Sequence, residues 1–65
     1  MNTKSPGSRI KILRQQLGIS QEELGRRLGV SVVTINRWER EVNQPSPLAL
    51  REIGRLEILN TPARS

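Results

Sequence analysis

The sequence predicts a compact, all-α domain of four helices. Apolar residues recur at helical spacing in four segments, serine and glycine residues stand where helices begin and end, and no segment alternates with the period of a strand. The 65 residues allow one domain, and no cysteine is present to form a disulfide. We therefore expect a flexible N-terminal arm at residues 1–7, a folded domain at residues 8–59 and a loose C-terminal tail at residues 60–65.

The first two helices are predicted from their apolar spacing and their end residues. Helix 1 is expected over about Ser8–Leu17, before Gly18, which can adopt the positive φ that ends many helices. Helix 2 is expected over about Gln21–Leu28. Its first turn contains a capping box in which Ser20 accepts from a backbone N–H and Glu23 reaches back to the Ser20 amide. The residues on the apolar faces of these two helices are Ile10, Leu13, Leu17, Leu24 and Leu28.

The second pair of helices is predicted in the same way. Helix 3 is expected over about Val32–Arg40 with Ser31 as its N-cap. Helix 4 follows Ser46, begins at Pro47, where a missing N–H costs nothing, and continues to about Leu59. A polar loop, residues 41–45, separates the two helices.

Helices 2 and 3 are separated by only residues 29–31, and this short connection makes them cross at a steep angle. A steep crossing needs a small residue at the contact and a turn residue that tolerates positive φ, and Gly25 and Gly29 stand at these two places. The apolar residues expected to fill the angle between the helices are Leu24, Leu28, Val30, Ile35 and Trp38. Spacing, turn chemistry and apolar pattern therefore agree on a helix-turn-helix.

At these residues the sequence resembles the Cro/C1-type (XRE) helix-turn-helix family, whose fold is that of a lambda-repressor-like domain. The resemblance covers about residues 8–56 and is carried by RQQLGISQEELGRRLGVS, TINRWERE and QPSPLAL. It implies that the third helix enters the DNA major groove, commonly in a dimer on a two-fold-symmetric operator. The expected function is a sequence-specific, double-stranded DNA-binding transcriptional repressor. The alternative is an antitoxin or another interaction module whose main partner is a protein.

If Ile35 and Trp38 face the core, four residues of helix 3 face outwards and can contact base edges. An arginine can form two hydrogen bonds to guanine, an asparagine can pair with adenine or bind a phosphate, and valine methyl groups can pack on thymine. An ordinary solvated helix face is the competing interpretation, but two adjacent exposed valines do not favour it. The predicted base-contacting residues are Val32, Val33, Asn36 and Arg37.

Contacts to the DNA phosphates are expected on both sides of this helix. Gln21 lies at the N-terminus of helix 2, where free backbone N–H groups and the helix dipole attract anions. The resemblance implies further phosphate contacts after the start of helix 3. The full set is Gln21, Thr34, Arg40, Asn43 and Gln44. Competing interpretations are a water-facing Gln21 and, for Arg40, a charge that merely complements the helix dipole.

The formal net charge is +5, and residues 1–19 hold four cations and no acid. Such a basic segment attracts polyanions. The resemblance implies that Arg14 forms a structural ion pair with Glu39, which removes it from the DNA-contacting set. Arg9 and Lys11 remain as candidates for long-range attraction to DNA.

One position departs from the family pattern. Members often have glycine directly after the W-E-R triplet, and here that residue is Glu41. The end of helix 3 still needs a residue with positive φ, and we expect Asn43 to supply it.

Composition excludes several classes of function. The chain contains no His, Cys, Tyr or Asp, so we expect no catalytic activity, no metal site and no cofactor. It contains no apolar run of membrane-spanning length and no signal-peptide core, which favours a cytoplasmic protein without membrane contact.

Helix 4 carries more apolar residues than one buried face needs. Leu48, Ile58 and Leu59 fall outside its apolar cluster. They indicate a partner surface, although wide burial or a frayed helix end explains them equally well. Burial of three such side chains contributes about 6 kcal/mol, whereas association costs about 4–15 kcal/mol. We therefore expect a homodimer that is at most weak without DNA.

Overall fold

The computed structural model describes residues 5–60, which form four α-helices and no β-strand. The helices are α1 (Pro6–Leu17), α2 (Gln21–Leu28), α3 (Val32–Glu39) and α4 (Pro47–Leu59). The predicted four-helix fold is confirmed, α2 and α4 have their predicted bounds, and α3 ends one residue early. Of the loose ends predicted at residues 1–7 and 60–65, residues 1–4 and 61–65 lie outside the described residues, and Asn60 is the C-cap of α4.

Each helix begins after a serine whose side chain accepts a hydrogen bond from the backbone N–H three residues later. These N-caps are Ser5, Ser20, Ser31 and Ser46, with N···O distances of 3.3, 3.0, 3.1 and 3.1 Å. Helix α1 starts two residues before the predicted Ser8. The reason is that Ser5 and Pro6 supply the same N-cap and first-turn proline as Ser46 and Pro47. Residues 5–7 therefore belong to the folded domain, and the prediction of an arm reaching residue 7 is wrong.

The capping box of α2 is only half formed. Ser20 accepts from the Glu23 N–H as predicted. The Glu23 carboxylate does not turn back to the Ser20 amide; it accepts from the Nε of Arg26 and the Nε of Arg27, each at 3.2 Å. The two cations lie three and four residues ahead on the same helix face, within easy reach of the carboxylate. They hold the pKa of Glu23 below its usual value, chiefly through the Arg27 hydrogen bond.

The core lies between all four helices. Its buried side chains are Ile10, Leu13, Leu24, Ile35, Trp38, Ala49 and Ile53. Half-buried apolar residues surround them, and these are Leu17, Ile19, Leu28, Val30, Leu50 and Leu56. Of the five residues predicted to fill the angle between α2 and α3, three are buried and two, Leu28 and Val30, lie at the edge of the core.

Two glycines allow close contact between backbone segments. A Cβ at Gly25 would lie 2.6 Å from the Val30 carbonyl oxygen, and a Cβ at Gly7 would lie 2.5 Å from that of Trp38. Gly25 performs the predicted role at the contact between α2 and α3. Gly29 ends α2 with φ 76°, also as predicted. The contact of Gly7 with the end of α3 was not predicted, because residues 1–7 carry no apolar periodicity.

The end of α3 corrects another prediction. The residue with positive φ is Glu41, at 62°, and not Asn43. The Glu41 N–H donates to the Trp38 carbonyl at 3.0 Å and the Val42 N–H donates to the Arg37 carbonyl at 2.9 Å. This pair of bonds is a Schellman motif, which requires a left-handed residue directly after the C-cap. The hydrogen bonds therefore place Glu41 in this conformation although glycine would adopt it more readily.

Candidate nucleic-acid interface

The α2–turn–α3 unit presents one outward face of α3. On the inward face Ile35 is fully buried and Trp38 is 6% exposed. The outward face carries Val32 and Val33, which are 43% and 54% exposed, together with exposed Arg37 and half-buried Asn36. All four predicted base-contacting residues therefore lie on the face of α3 that points away from the core.

The chemistry of this face is mixed. Two valines offer methyl groups that can contact other methyl groups, whereas the guanidinium of Arg37 offers five N–H donors in a planar arrangement. Asn36 adds one amide that both donates and accepts. A surface of this composition can recognise both the apolar and the hydrogen-bonding groups at the base edges of a DNA major groove.

The predicted phosphate-contacting residues lie around this face. Arg40, Asn43 and Gln44 are exposed in the segment that follows α3. Thr34 is half-buried, and its hydroxyl oxygen lies 3.0 Å from that of the N-cap Ser31. These four residues and the outward face of α3 thus lie within one segment of the chain, residues 32–44.

The fifth predicted phosphate contact, Gln21, belongs to a polar cluster around Glu39. Arg14 donates from Nε to Oε2 of Glu39 at 2.7 Å and from Nη2 to Oε1 at 3.2 Å. Gln21 donates from Nε2 to the same Oε1 at 3.0 Å. Gln21 therefore does not simply face water. One Nε2 proton remains after this bond, so the side chain can still donate a hydrogen bond to a phosphate.

The Arg14–Glu39 pair is the ion pair that the sequence resemblance implied. The side chains are 21% and 7% exposed, respectively. Arg14 also donates from Nη1 to the Ile19 carbonyl at 3.3 Å, which connects the turn between α1 and α2 to the cluster. The hydrogen bonds to Glu39 raise the pKa of Arg14 above its usual value. The cluster thus joins α1, the start of α2 and the end of α3.

A second two-point ion pair was missed by the sequence reasoning. Arg9 donates from Nε and Nη2 to the Glu57 carboxylate at 3.1 and 2.7 Å, and these bonds raise the pKa of Arg9. The pair connects α1 to the last turn of α4. Arg9 was expected to attract DNA at long range, but its charge is balanced within the fold, whereas Lys11 is exposed. The partners are 48 positions apart in the sequence, which leaves no local sequence signal.

Within residues 5–60, four large apolar side chains outside α3 are exposed. Val42 is 58% exposed, and on α4 Leu48, Ile58 and Leu59 are 67%, 74% and 72% exposed. The surplus apolar residues of α4 are therefore not accounted for by wide burial within residues 5–60.

Two structural features are absent from the described part of the chain. Within residues 5–60 no helix combines the length and apolar character needed to cross a bilayer. Over the same range, no three His, Cys, Asp or Glu side chains come together in a group that could hold a metal ion.

Two helices joined by a three-residue turn, the second with an outward polar and apolar face, define a helix-turn-helix domain. The chain belongs to the helix-turn-helix family (HTH_3), whose family model matches residues 10–56. The Cro/C1-type resemblance stated above is thereby confirmed.

Individual relatives agree with this assignment. An uncharacterized HTH-type transcriptional regulator of Sinorhizobium medicae (strain WSM419) is 41% identical over 56 residues, and the match covers 86% of this chain and 39% of the relative. The repressor protein C2 of Salmonella phage P22 is 46% identical over 46 residues, covering 71% of this chain and 21% of C2. The chain thus spans well under half the length of these relatives.

The fold is similar to a solved structure. The solution NMR structure of the DNA-binding domain of the P22 C2 repressor matches with a TM-score of 0.75 and 39% sequence identity. The match covers 86% of this chain and 74% of that domain. The lambda-repressor-like fold predicted from the sequence is therefore shown by structure as well.

Proposed function

We propose that this protein binds double-stranded DNA sequence-specifically and represses transcription. Helix α3 enters the major groove, and a dimer covers a pseudo-palindromic operator so that other proteins cannot occupy it. In such a dimer the two recognition helices lie about 34 Å apart, one turn of DNA. Because the relatives named above come from a bacterium and a bacteriophage, whose DNA lies in the bacterial cytoplasm, we also propose a cytoplasmic location.

One observation carries this proposal: the exposure of Val32 and Val33 beside Arg37 on the outward face of α3. A helix that only faces water has no use for two adjacent valines at 43% and 54% exposure. In the major groove these methyl groups meet thymine methyl groups, and Arg37 forms two hydrogen bonds with a guanine. Asn36 contacts either an adenine or a phosphate.

The proposed phosphate contacts position α3 and do not read sequence. Gln21 binds from the N-terminus of α2, where the first backbone N–H groups of the helix lack intrahelical partners. The others follow in the chain, and they are Thr34, Arg40, Asn43 and Gln44. Similarity to the DNA-binding domain of the P22 C2 repressor supports this arrangement. The proposed function requires neither catalytic activity nor a cofactor.

A second candidate function is that of an antitoxin or another module whose main partner is a protein. The observation that favours it is the exposure of Leu48, Ile58 and Leu59 on α4. These side chains lie outside the proposed DNA-contacting set and leave α4 open for a partner. Co-purification of the chain with one neighbouring gene product in a fixed ratio would favour this second function.

Selection of bound sequences from random double-stranded DNA tests the leading proposal. We expect an enriched half-site, repeated with two-fold symmetry at a spacing of one helical turn. The enriched sequence must also bind more weakly as salt increases, because each phosphate contact releases counterions. No enrichment, or a Kd that stays constant between low and moderate salt, would contradict the proposal.

A further inference from the structure

Glu41 combines three features that neither the α3 face nor the proposed phosphate contacts explain. It is the non-glycine residue with positive φ within residues 5–60. Its carboxylate accepts a hydrogen bond from the hydroxyl of Ser5, at the start of α1. Its side chain also lies against Gly7, where an added Cβ would come within 2.8 Å of the Glu41 Cγ. Glu41, the left-handed residue after α3, is therefore in contact with two residues at the start of α1, Ser5 and Gly7.

The loop at residues 42–44 follows Glu41 directly. Residues 42–44 are exposed, and two of them, Asn43 and Gln44, are proposed phosphate contacts. The loop starts at Val42, whose N–H donates to the Arg37 carbonyl, and it ends at Pro45, which is buried. The backbone direction of this loop is thus set at one end by Pro45 and at the other by Glu41.

We propose that Glu41 is a positioning residue for DNA binding. Through its hydrogen bond with Ser5 it connects the loop at residues 42–44 to α1, so that the loop is already ordered before DNA arrives. This inference rests on the proposed DNA-binding function. A pre-ordered loop loses less conformational entropy when it binds a phosphate, which increases affinity without adding a contact.

Two variants at one position separate this role from charge and from backbone strain. Glu41→Gln keeps an oxygen that accepts from Ser5, whereas Glu41→Ala removes the acceptor. Both variants lose the same negative charge and keep a Cβ at the same positive φ. Any difference between them therefore reports the side-chain contacts of residue 41 with Ser5 and Gly7, and the double-mutant cycle below isolates the hydrogen bond to Ser5.

The first measurement uses the free protein and does not depend on DNA. Amide hydrogen exchange at residues 42–44 is expected to be faster in Glu41→Ala than in Glu41→Gln, while exchange at the core residues Leu13 and Ile35 stays equal. Equal exchange at residues 42–44 in the two variants would overturn the inference. Because no DNA is present, this result is independent of whether the proposed function holds.

The second measurement uses the DNA selected from the random pool. We expect Glu41→Ala to bind roughly two- to tenfold more weakly than Glu41→Gln, the effect of one net hydrogen bond. The loss should be the same on every sequence, since phosphate contacts carry no sequence information. Equal affinity of the two variants would overturn the inference, whereas failure of the unmodified protein to select any DNA would count against the proposed function.

A double-mutant cycle with Ser5→Ala identifies the partner. Ser5→Ala also removes the N-cap of α1, but it does so equally with glutamate or alanine at position 41. The positioning role requires that Ser5→Ala weaken DNA binding in the unmodified protein more than in Glu41→Ala. Additive losses would show that Glu41 acts without Ser5.

Discussion

Arg14 and Glu39 join α1 to the end of α3 through two hydrogen bonds of 2.7 and 3.2 Å. The carboxylate is 7% exposed and also accepts from Gln21 at the start of α2. Three segments of the helix-turn-helix domain thus meet at one charged group. Together with the buried core, these hydrogen bonds connect α3, which carries the proposed DNA-contacting face, to α1 and α2.

Arg14→Ala should lower the free energy of unfolding by about 2 kcal/mol. Loss of one partner of a fully buried ion pair costs roughly 3–5 kcal/mol, and the 21% exposure of Arg14 reduces that figure. Arg9→Ala is the matched control, because Arg9 makes a similar two-point pair with Glu57 at 35% and 33% exposure. Its expected cost is below about 1 kcal/mol. Urea unfolding measures both, and equal losses would contradict the role given to burial.

Gly25→Ala should destabilise the domain by more than about 2 kcal/mol, because the new Cβ would lie 2.6 Å from the Val30 carbonyl oxygen. Gly54→Ala provides the control within α4. The nearest atom to a Cβ there is a side-chain nitrogen of Arg9 at 4.0 Å, so this variant should gain about 0.5–1 kcal/mol from higher helix propensity. Thermal unfolding, monitored by circular dichroism, shows whether each variant lowers or raises the unfolding temperature. A stable Gly25→Ala protein would mean that α2 and α3 can separate without cost.

Arg37→Ala should weaken binding to the selected DNA by about 1–3 kcal/mol and relax the preference at one base position. Arg55→Ala is the control, since Arg55 is equally cationic and 71% exposed but lies on α4. It should change neither the preference nor, beyond a small general effect, the affinity. Fluorescence anisotropy on the selected site and on single-base variants distinguishes these outcomes. A uniform loss on all sequences would make Arg37 a phosphate contact.

Acid should weaken the contacts of Glu23 with Arg26 and Arg27. Because the folded-state pKa of Glu23 is lowered, the stabilisation is present above the unfolded value of about 4.5 and is lost as the pH falls through the folded pKa. The carboxyl carbon resonance of Glu23 should therefore titrate with a midpoint below 4.5. The midpoint should move up in Arg27→Ala and stay in place in Arg55→Ala. An unchanged midpoint in Arg27→Ala would show that the hydrogen bond does not form in solution.

The free protein should sediment as a monomer at micromolar concentration. The exposed apolar side chains of α4 contribute about 6 kcal/mol at most, which association costs of about 4–15 kcal/mol largely cancel. Ile58→Ser combined with Leu59→Ser should leave the unfolding temperature unchanged, because both side chains are more than 70% exposed. The same double variant should reduce the cooperativity of binding to a two-fold-symmetric site. A nanomolar dimer in the absence of DNA would refute this prediction.

Much of the fold is readable from the sequence because its determinants are local. The serine at each helix start, the glycines after α1 and α2, and the apolar spacing at Ile35 and Trp38 act within one or two turns of chain. The N-terminus of α1 was nevertheless misplaced, although Ser5 and Pro6 repeat the signal that was recognised at Ser46 and Pro47. The terminal position of these residues favoured a loose arm, whereas the structure connects this segment to the end of α3 through the Ser5–Glu41 hydrogen bond and the close approach of Gly7 to the Trp38 carbonyl.

The sequence by itself determined the helix-turn-helix, its family and the residues of α3 that face outwards, since short-range spacing and turn chemistry decide all three. Only the tertiary structure showed that Arg9 is balanced by Glu57, that Gln21 is bound to Glu39, and that Glu41 adopts the left-handed conformation in contact with Ser5. Each of these contacts joins side chains that are 18 to 48 residues apart. Their geometry depends on how the helices pack, and no periodicity within a single helix contains that information.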